Sequence, residues 1–276
     1  MCPRKVAIIG CGTIGTILAK AIDAGRAGDV ELTVIYDSDH RKARDLQEQL
    51  NFKPRVAREA EEIWMDEDVD LVVEAASQEA VRRYSAKVLG AGKDMIVMSV
   101  GAFSDEILFA EVRKAAREGG GRLYIPSGAI LGVDGIKAAM EAGIDEIVLT
   151  TRKPPKALAK NKYVRERGFD LSELRVPLVV FEGSAREAVR AFPESVNVAA
   201  TVSLAGLGLG RTKVRVVADP SLDRNVHVIR VKGKAGELVT EAHNVPSPDN
   251  PKTSYLAALS ALRTLRNLAE SIVIGT

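Results

Sequence analysis

Three glycines near the N-terminus have a spacing that fits phosphate binding. Gly10, Gly12 and Gly15 form the pattern G-x-G-x-x-G, directly after an apolar run and at the start of a helical segment. In that setting the first glycine permits a tight turn, the second lets the backbone approach a pyrophosphate, and the third lets the helix pack closely on a sheet. The helix start, at Thr13 and Ile14, supplies N–H groups and the positive end of a dipole. The pattern predicts a dinucleotide site.

Asp37 is predicted to complete this site. It follows the second apolar run of the chain, where a carboxylate can accept hydrogen bonds from both ribose hydroxyls. Its negative charge should repel a 2′-phosphate and therefore favours NAD over NADP. His40, Arg41 and Lys42 follow closely and could offer positive charge to such a phosphate, although they also fit a solvated helix start. The predicted cofactor is NAD, and NADP stays an alternative.

The histidines are candidate proton carriers, because an imidazole with a pKa of about 6.5 can gain and lose a proton near neutrality. His40 lies in a charged segment and is predicted to be at the surface, whereas His227 and His243 alternate with apolar residues and fit buried, hydrogen-bonded positions in strands. Cys2 and Cys11 are weak candidates for a nucleophile, and no base is identifiable beside Cys11. The residues alone leave His227 between a core histidine and a catalytic one.

Alternating elements must position the dinucleotide site. Up to residue 125, short runs that are apolar throughout alternate with helix-patterned stretches, which is typical of a parallel sheet covered on both faces. Right-handed crossovers make a doubly wound, Rossmann-type α/β sheet the expected topology. The predicted strands are 6–9, 32–36, 71–73, 95–97 and 123–125, and the predicted helices are 14–24, 40–49, 79–91 and 105–118.

The pattern changes after residue 126 and predicts a second, α+β domain with a mostly antiparallel sheet. Three consecutive runs look like an antiparallel meander, and the basic stretch 152–167 looks like an exposed loop. The chain ends in an amphipathic helix at 253–272. The predicted strands of this part are 146–151, 176–181, 212–218, 226–232 and 237–245, with helices at 133–142 and 196–207.

Composition excludes several classes of protein. The 276 residues carry 39 Lys and Arg against 37 Asp and Glu, so a basic excess of the kind that nucleic-acid binding needs is missing. Two cysteines cannot build a disulfide framework or a four-ligand zinc site. The uncharged run 195–210 is too short and too polar to span a bilayer. We expect a cytoplasmic protein that binds no metal, membrane or nucleic acid.

Four further motifs carry a family resemblance. They are Pro-Ser-Gly-Ala-Ile at 126–130, Phe-Pro at 192–193 with Asn-Val-Ala-Ala-Thr at 197–201, Ala-Asp-Pro at 218–220 with Asn-Val-His at 225–227, and Asn-Pro-Lys-Thr-Ser at 250–254. In this order, over nearly the whole chain, the sequence closely resembles the L-aspartate dehydrogenase family. The resemblance implies that His227 is the catalytic acid/base and that Ala129 and Asn197 touch the cofactor near its nicotinamide. It gives His243 no role.

The resemblance also implies a reaction and an assembly. L-aspartate would pass a hydride from Cα to NAD, and the resulting iminosuccinate would hydrolyse to oxaloacetate and ammonia or feed pyridine-nucleotide synthesis. A homodimer would form through the sheet of the second domain, and the C-terminal helix would return to the first. The expected domains are therefore 1–125 with 251–276, and 126–250.

The start of the last helix is a candidate site for the substrate carboxylates. Thr253 or Ser254 fits an N-cap, and the N–H groups of the first turn could hold a carboxylate instead. We hypothesise that Thr253 and Ser254 bind the substrate carboxylates together with Lys252 or a basic residue from the insert at 155–171.

Two other readings stay open. A homoserine dehydrogenase or dihydrodipicolinate reductase type of enzyme would share the glycine turn and the order of domains, and a substrate profile would distinguish it. A non-catalytic sensor of NAD(H) would bind the cofactor, turn over no aspartate and be indifferent to His227.

Overall fold

A computed structural model describes residues 3–193, 196–248 and 250–275, except for the side chains of 251 and 252. The chain divides into two compact units. Unit 1 comprises Met1–Gly128 with Ala257–Thr276, and unit 2 comprises Ala129–Leu256. Among the described residues, the helices are too short or too polar to cross a membrane.

Unit 1 is built on a sheet whose described strands all run parallel. The central strands are buried over most of their length, as their unbroken apolar runs predict. These strands are β1 (Arg4–Ile9), β2 (Val30–Tyr36), β3 (Arg55–Val56), β4 (Leu71–Glu74), β5 (Asp94–Val97) and β6 (Leu123–Tyr124). Their order is β3-β2-β1-β4-β5-β6, which reverses direction between β1 and β4. This is the doubly wound order, and it confirms the predicted Rossmann-type sheet.

The helices of unit 1 connect these strands and cover the sheet. They are α1 (Thr13–Asp23), α2 (His40–Glu48), α3 (Glu61–Met65), α4 (Gln78–Gly90), α5 (Glu106–Gly119) and the C-terminal helix (Tyr255–Ala269), with a 3₁₀ turn at Val100–Ser104. The C-terminal helix packs Ala261 and Leu265 into the core beside α1. Its Ser260 Oγ accepts a hydrogen bond from the N–H of Gly128 at 3.0 Å.

Unit 2 is built on a mixed, mostly antiparallel sheet. Its strands are β7 (Ile144–Lys153), β8 (Leu178–Ser184), β9 (Lys213–Ala218), β10 (Val226–Gly233) and β11 (Gly236–His243), and a separate two-stranded ribbon joins β12 (Pro246–Ser247) to β13 (Asn250–Ser254). The order of the large sheet is β11-β10-β7-β9-β8. Strand β7 pairs parallel with β9, and the other neighbours are antiparallel.

The predicted meander is wrong in one respect. Strands β10 and β11 form a hairpin with Gly233 opposite Gly236, as expected. Strand β9, however, does not pair with β10, because β7 lies between them. Alternation along a strand shows which side chains share a face, but it carries no information about which strand is the neighbour.

Helices cover one face of the large sheet. They are α6 (Val133–Ala142), α7 (Pro155–Leu158), α8 (Lys162–Glu166), α9 (Ala185–Ala191) and α10 (Val196–Ala205). The predicted exposed loop at 152–167 is therefore wrong: α7 and α8 occupy it and bury Leu158 and Val164 in the core. The Asn161 side chain accepts the N–H of Val164 at 3.1 Å and so caps α8.

The opposite face of the large sheet is only partly covered. Val148, Thr150 and Val228 lie half-buried along its centre. Ion pairs flank them, with nitrogen-to-oxygen distances of 2.6 Å from Lys213 to Glu146 and 2.9 Å from Arg215 to Glu182. We call this partly covered surface around Val148, Thr150 and Val228 the bare face of the unit 2 sheet.

Candidate active site

The glycine turn after β1 is packed as the motif predicts. Gly10 has a φ of +102°, and a Cβ there would lie 2.7 Å from backbone atoms of Ala75. A Cβ at Gly15 would lie 1.8 Å from the carbonyl oxygen of Gly10. A Cβ at Gly12, in contrast, would meet nothing within 4 Å. Gly10 and Gly15 are thus required by the fold, whereas Gly12 keeps open a space that a ligand can approach.

The start of α1 suits an anion. The helix begins at Thr13 behind the N-cap Gly12, no side chain caps it, and its first turn contains no acidic residue. The N–H groups and the dipole at such an end attract phosphate. Thr13 and Ile14 therefore lie where the dinucleotide motif places them.

Asp37 is held against the glycine turn at the end of β2. Its carboxylate accepts the N–H of Cys11 at 2.8 Å and the N–H of Asp39 at 2.9 Å. A half-buried carboxylate in this place suits the ribose hydroxyls of a dinucleotide. Arg41, the candidate partner for a 2′-phosphate, is 83% exposed and lies 3.8 Å from Asp39. The open space at Gly12 and the uncapped helix fit the pyrophosphate of NAD or NADP, and the charge of Asp37 favours NAD.

Glu74 supports the same edge of the sheet and was not singled out from the sequence. Its fully buried carboxylate accepts N–H groups from Ala76 at 2.8 Å, Ser77 at 2.9 Å and Ser99 at 3.0 Å, and the hydroxyl of Ser99 at 2.8 Å. Burial raises the pKa of this carboxyl, and the hydrogen bonds oppose the rise. Glu74 thereby ties together the segments that follow β4 and β5. The feature of the sequence that could have identified Glu74 is its position as an acidic residue at the end of an apolar strand.

His227 is buried in β10, 6% exposed, and lies opposite Thr151 of β7. Its Nδ1 is 3.1 Å from the Thr151 hydroxyl. Burial, with a smaller contribution from the positive charge of Lys153, lowers the pKa of His227 to about 4. Near neutral pH the imidazole of His227 is therefore uncharged, with a lone pair that can accept a proton.

A basic cavity of about 690 Å³ lies within unit 2. Cationic, amide and hydroxyl side chains line it, and Arg224 pairs with Asp223 through nitrogen-to-oxygen distances of 2.6 and 2.9 Å. Lys153 belongs both to this lining and to the surroundings of His227. The polar lining comprises Lys153, Lys156, Lys160, Asn161, Asp223, Arg224, Asn225, Asn244, Thr253 and Ser254.

The predicted substrate residues Thr253 and Ser254 line this cavity. They end β13, and Ser254 directly precedes the last helix, which begins at Tyr255. The Ser254 hydroxyl donates to Asn244 Oδ1 at 2.5 Å, and Asn244 Nδ2 donates to the carbonyl oxygen of Ala129 at 2.9 Å. Ser254 therefore lies at the N-cap position that the sequence predicts, and the binding of a substrate carboxylate there stays a prediction. The side chain of Lys252 lies outside the described residues.

Ala129 and Asn197, the residues predicted to lie near the nicotinamide, both belong to unit 2. Ala129 is 9% exposed, and its carbonyl oxygen is engaged by Asn244. Asn197 is exposed in the first turn of α10, where its carbonyl oxygen accepts the Thr201 hydroxyl at 2.9 Å. Contact with the cofactor stays a prediction for both.

The remaining chemical candidates are His40, His243 and Cys11, since Cys2 lies outside the described residues. His243 is exposed, with its Nε2 2.9 Å from Glu241, so the prediction that it is buried is wrong. His40 is exposed, as predicted. Burial, assisted by the charge of Asp37, raises the pKa of the Cys11 thiol to about 12, so Cys11 is no nucleophile.

Comparisons with known proteins identify the family. The model of the family "Aspartate dehydrogenase, C-terminal" matches residues 134–268, and "Homoserine dehydrogenase, NAD binding domain" matches residues 10–126. The L-aspartate dehydrogenase of Methanosarcina mazei is 50% identical over 272 residues, and that of Methanosarcina acetivorans is 49% identical over 273; each match covers 99% of both chains. The crystal structure of aspartate dehydrogenase from Thermotoga maritima superposes with a TM-score of 0.76 at 32% identity, covering 99% of both chains. The chain therefore belongs to the L-aspartate dehydrogenase family and is an NAD(P)-dependent oxidoreductase.

Proposed function

We propose that this protein oxidises L-aspartate with NAD or NADP to iminosuccinate, which is hydrolysed to oxaloacetate and ammonia. The observation that carries this proposal is a neutral, buried His227 that shares Lys153 with a cavity lined by cationic residues. A dicarboxylate needs positive charge around it, and hydrolysis of an imine needs a group that accepts and returns a proton.

The cavity favours a small dianion. Lys153, Lys156, Lys160 and Arg224 contribute positive charge, and Asp223 opposes it. The hydroxyls of Thr253 and Ser254 add hydrogen-bonding groups at the same wall. We assign the two carboxylates of aspartate to this lining, with Lys252 as a further candidate.

Different residues of the chain bind the cofactor and transfer the proton. Gly12, the start of α1 and Asp37 bind the dinucleotide, which supplies the acceptor for the hydride that leaves Cα. His227 accepts a proton from the water molecule that adds to the C=N bond. It then returns that proton to the nitrogen, and it accepts the hydroxyl proton as the C–N bond breaks, the carbonyl forms and ammonia leaves. Thr151 orients the imidazole for these transfers.

The test is the absorbance of NADH formed from L-aspartate and NAD by the wild type, His227→Ala and His243→Ala. Loss of the acid/base should lower kcat by about 100-fold or more. His243 is the matched control because it is exposed and paired with Glu241 outside the cavity lining, so His243→Ala should keep wild-type activity. Undiminished activity in His227→Ala would discard the mechanism and keep the substrate.

The same assay separates the alternatives. One possible result is that the wild type binds NADH but is inactive with aspartate and with oxaloacetate and ammonia. If it then reduces another carbonyl or imine, the protein is a reductase of different specificity. A wild type that binds NADH and turns over no substrate would be a redox sensor.

We further propose a homodimer formed through the bare face of the unit 2 sheet. Val148, Thr150 and Val228 give this face an apolar centre, and the ion pairs of Lys213 and Arg215 border it. Replacing Val148 with aspartate should convert a dimer to a monomer in size-exclusion chromatography with light scattering. A wild type that elutes as a monomer would refute this assembly.

A further inference from the structure

Lys153 is an unusual residue for its place in the fold. It is 6% exposed at the end of β7, on the same face as Ile147, Leu149 and Thr151, which are buried in unit 2. Taking an ammonium group out of water costs free energy, so lysines are seldom found on the buried face of a strand. Charged groups held in such surroundings concentrate at functional sites.

The end of β7 is held rigidly around Lys153. Its carbonyl oxygen accepts the N–H of Asp219 at 2.8 Å. Asp219 is fully buried, and its carboxylate accepts hydrogen bonds from Arg152 Nε at 3.1 Å and from the Ser221 hydroxyl at 2.6 Å. Although burial alone would raise the pKa of Asp219, the hydrogen bonds from Ser221 and Arg152 lower it, so this carboxylate stays charged and anchors the end of β7.

Two observations connect Lys153 to the chemistry. Its side chain lines the basic cavity, together with Thr253 and Ser254. Its positive charge also acts on the imidazole of His227, which lies opposite Thr151, two residues before Lys153 on the same strand face. Among the cationic side chains of the lining, Lys156 and Lys160 are exposed to solvent, whereas Lys153 is buried. Water screens the charge of exposed lysines but not that of a buried one.

We propose that Lys153 binds a carboxylate of the substrate and is the residue that makes the site selective for a dicarboxylate. This inference rests on the proposed function. Lys153 lines the cavity and its charge reaches His227, so a carboxylate bound by Lys153 would hold the substrate near the imidazole. The exposed lysines of the lining add a general positive field and little selectivity.

The experiment compares Lys153→Met with Lys137→Met. Methionine has a similar length and removes only the charge, and Lys137 is an exposed lysine of α6 outside the cavity lining. Succinate and butyrate serve as inhibitors competitive with aspartate, because they differ by one carboxylate. The preference of the wild type for succinate should be about 10- to 100-fold, as a charge-assisted hydrogen bond allows.

The expected result has three parts. Lys153→Met raises the KM for aspartate by about 10- to 100-fold, leaves the KM for NAD unchanged, and binds succinate no better than butyrate. Lys137→Met keeps all wild-type values. A merely structural role would instead weaken both inhibitors alike. Fluorescence titration with NADH checks that the variant is folded, and if Lys153→Met does not fold, Lys153→Gln is used with the same expectation.

The outcomes are distinguishable. A wild type that oxidises aspartate beside a Lys153 variant that keeps the preference for succinate would overturn the role of Lys153 alone. A wild type inactive with aspartate would overturn the proposed function, and with it this inference.

Discussion

Replacing Thr151 with valine tests whether the hydrogen bond to His227 serves catalysis or only packing. Thr151 is 2% exposed, and its hydroxyl lies 3.1 Å from Nδ1 of His227. If Nδ1 carries the hydrogen and donates it to the hydroxyl, the lone pair of Nε2 is free to accept a proton from water. Valine has nearly the same shape as threonine and removes this acceptor alone.

The size of the effect follows from the change in charge on the imidazole. A hydrogen bond between neutral groups contributes about 0.5–1.5 kcal/mol, and one to a charged group about 1.5–3 kcal/mol. Because His227 becomes positive as it accepts the proton, the bond strengthens by about 1–1.5 kcal/mol toward the transition state. Thr151→Val should therefore lower kcat by about 5- to 12-fold. The buried Nδ1 left without a partner should also lower the free energy of unfolding by about 1–3 kcal/mol.

The assay is the kcat of aspartate oxidation together with denaturant unfolding of each variant. Thr151→Ser is the matched control, since it keeps the hydroxyl and should stay within about twofold of wild type while losing a methyl group. A Thr151→Val protein that unfolds more easily yet keeps the wild-type kcat would show that the bond is structural, and the reasoning about the imidazole would be wrong.

The remaining predictions concern the dinucleotide turn and the response to pH. Gly12→Ala should leave the melting temperature unchanged, because the added Cβ meets no protein atom within 4 Å. It should weaken NADH binding by about tenfold or more, because that Cβ occupies the space of the pyrophosphate. Gly15→Ala should lower the melting temperature, since its Cβ would lie 1.8 Å from the carbonyl oxygen of Gly10. Asp37→Asn removes the charge that repels a 2′-phosphate, so the ratio of kcat/KM with NADP to that with NAD should rise about tenfold or more, and an unchanged ratio would contradict the assigned role. The pKa of His227 is lower in the folded chain than in the unfolded one, so stability should be lost as the pH falls from about 6.5 to about 4, by about 3 kcal/mol in total. Unfolding curves of His227→Asn over this range should lack that contribution, and kcat/KM of the wild type should decline only near the lower value.

Unit 1 could be predicted from the sequence because its signals are local. Each central strand is a short apolar run, and the glycine turn between β1 and α1 has requirements that few sequences meet. The elements that were missed, β3 and α3, are only two and five residues long, too short to show a period. Glu74 was missed because its role depends on backbone N–H groups from two separate loops.

Unit 2 was predicted less well because its organisation depends on distant pairing. The segment 152–167 is mostly basic, and the side chains that anchor it, Leu158 and Val164, are isolated apolar residues in short helices. His243 alternates with apolar residues in an edge strand, but Val239 and Val245 on that pattern are themselves exposed. Alternation therefore indicated a strand correctly and the buried face wrongly.

The candidate active site depends on the register between β7 and β10. The pairing of His227 with Thr151 places Lys153 next along the same buried face. A slip of one residue would turn Thr151 and Lys153 to the other face of the sheet and would leave the imidazole without its hydroxyl partner. The two strands are far apart in the sequence. Strand β7 continues two residues beyond its predicted end at Thr151, so the sequence pattern assigns Lys153 to a basic loop and not to the strand. The histidine was recognisable from a motif, whereas the residues that set its charge and orientation are defined only by the pairing of strands.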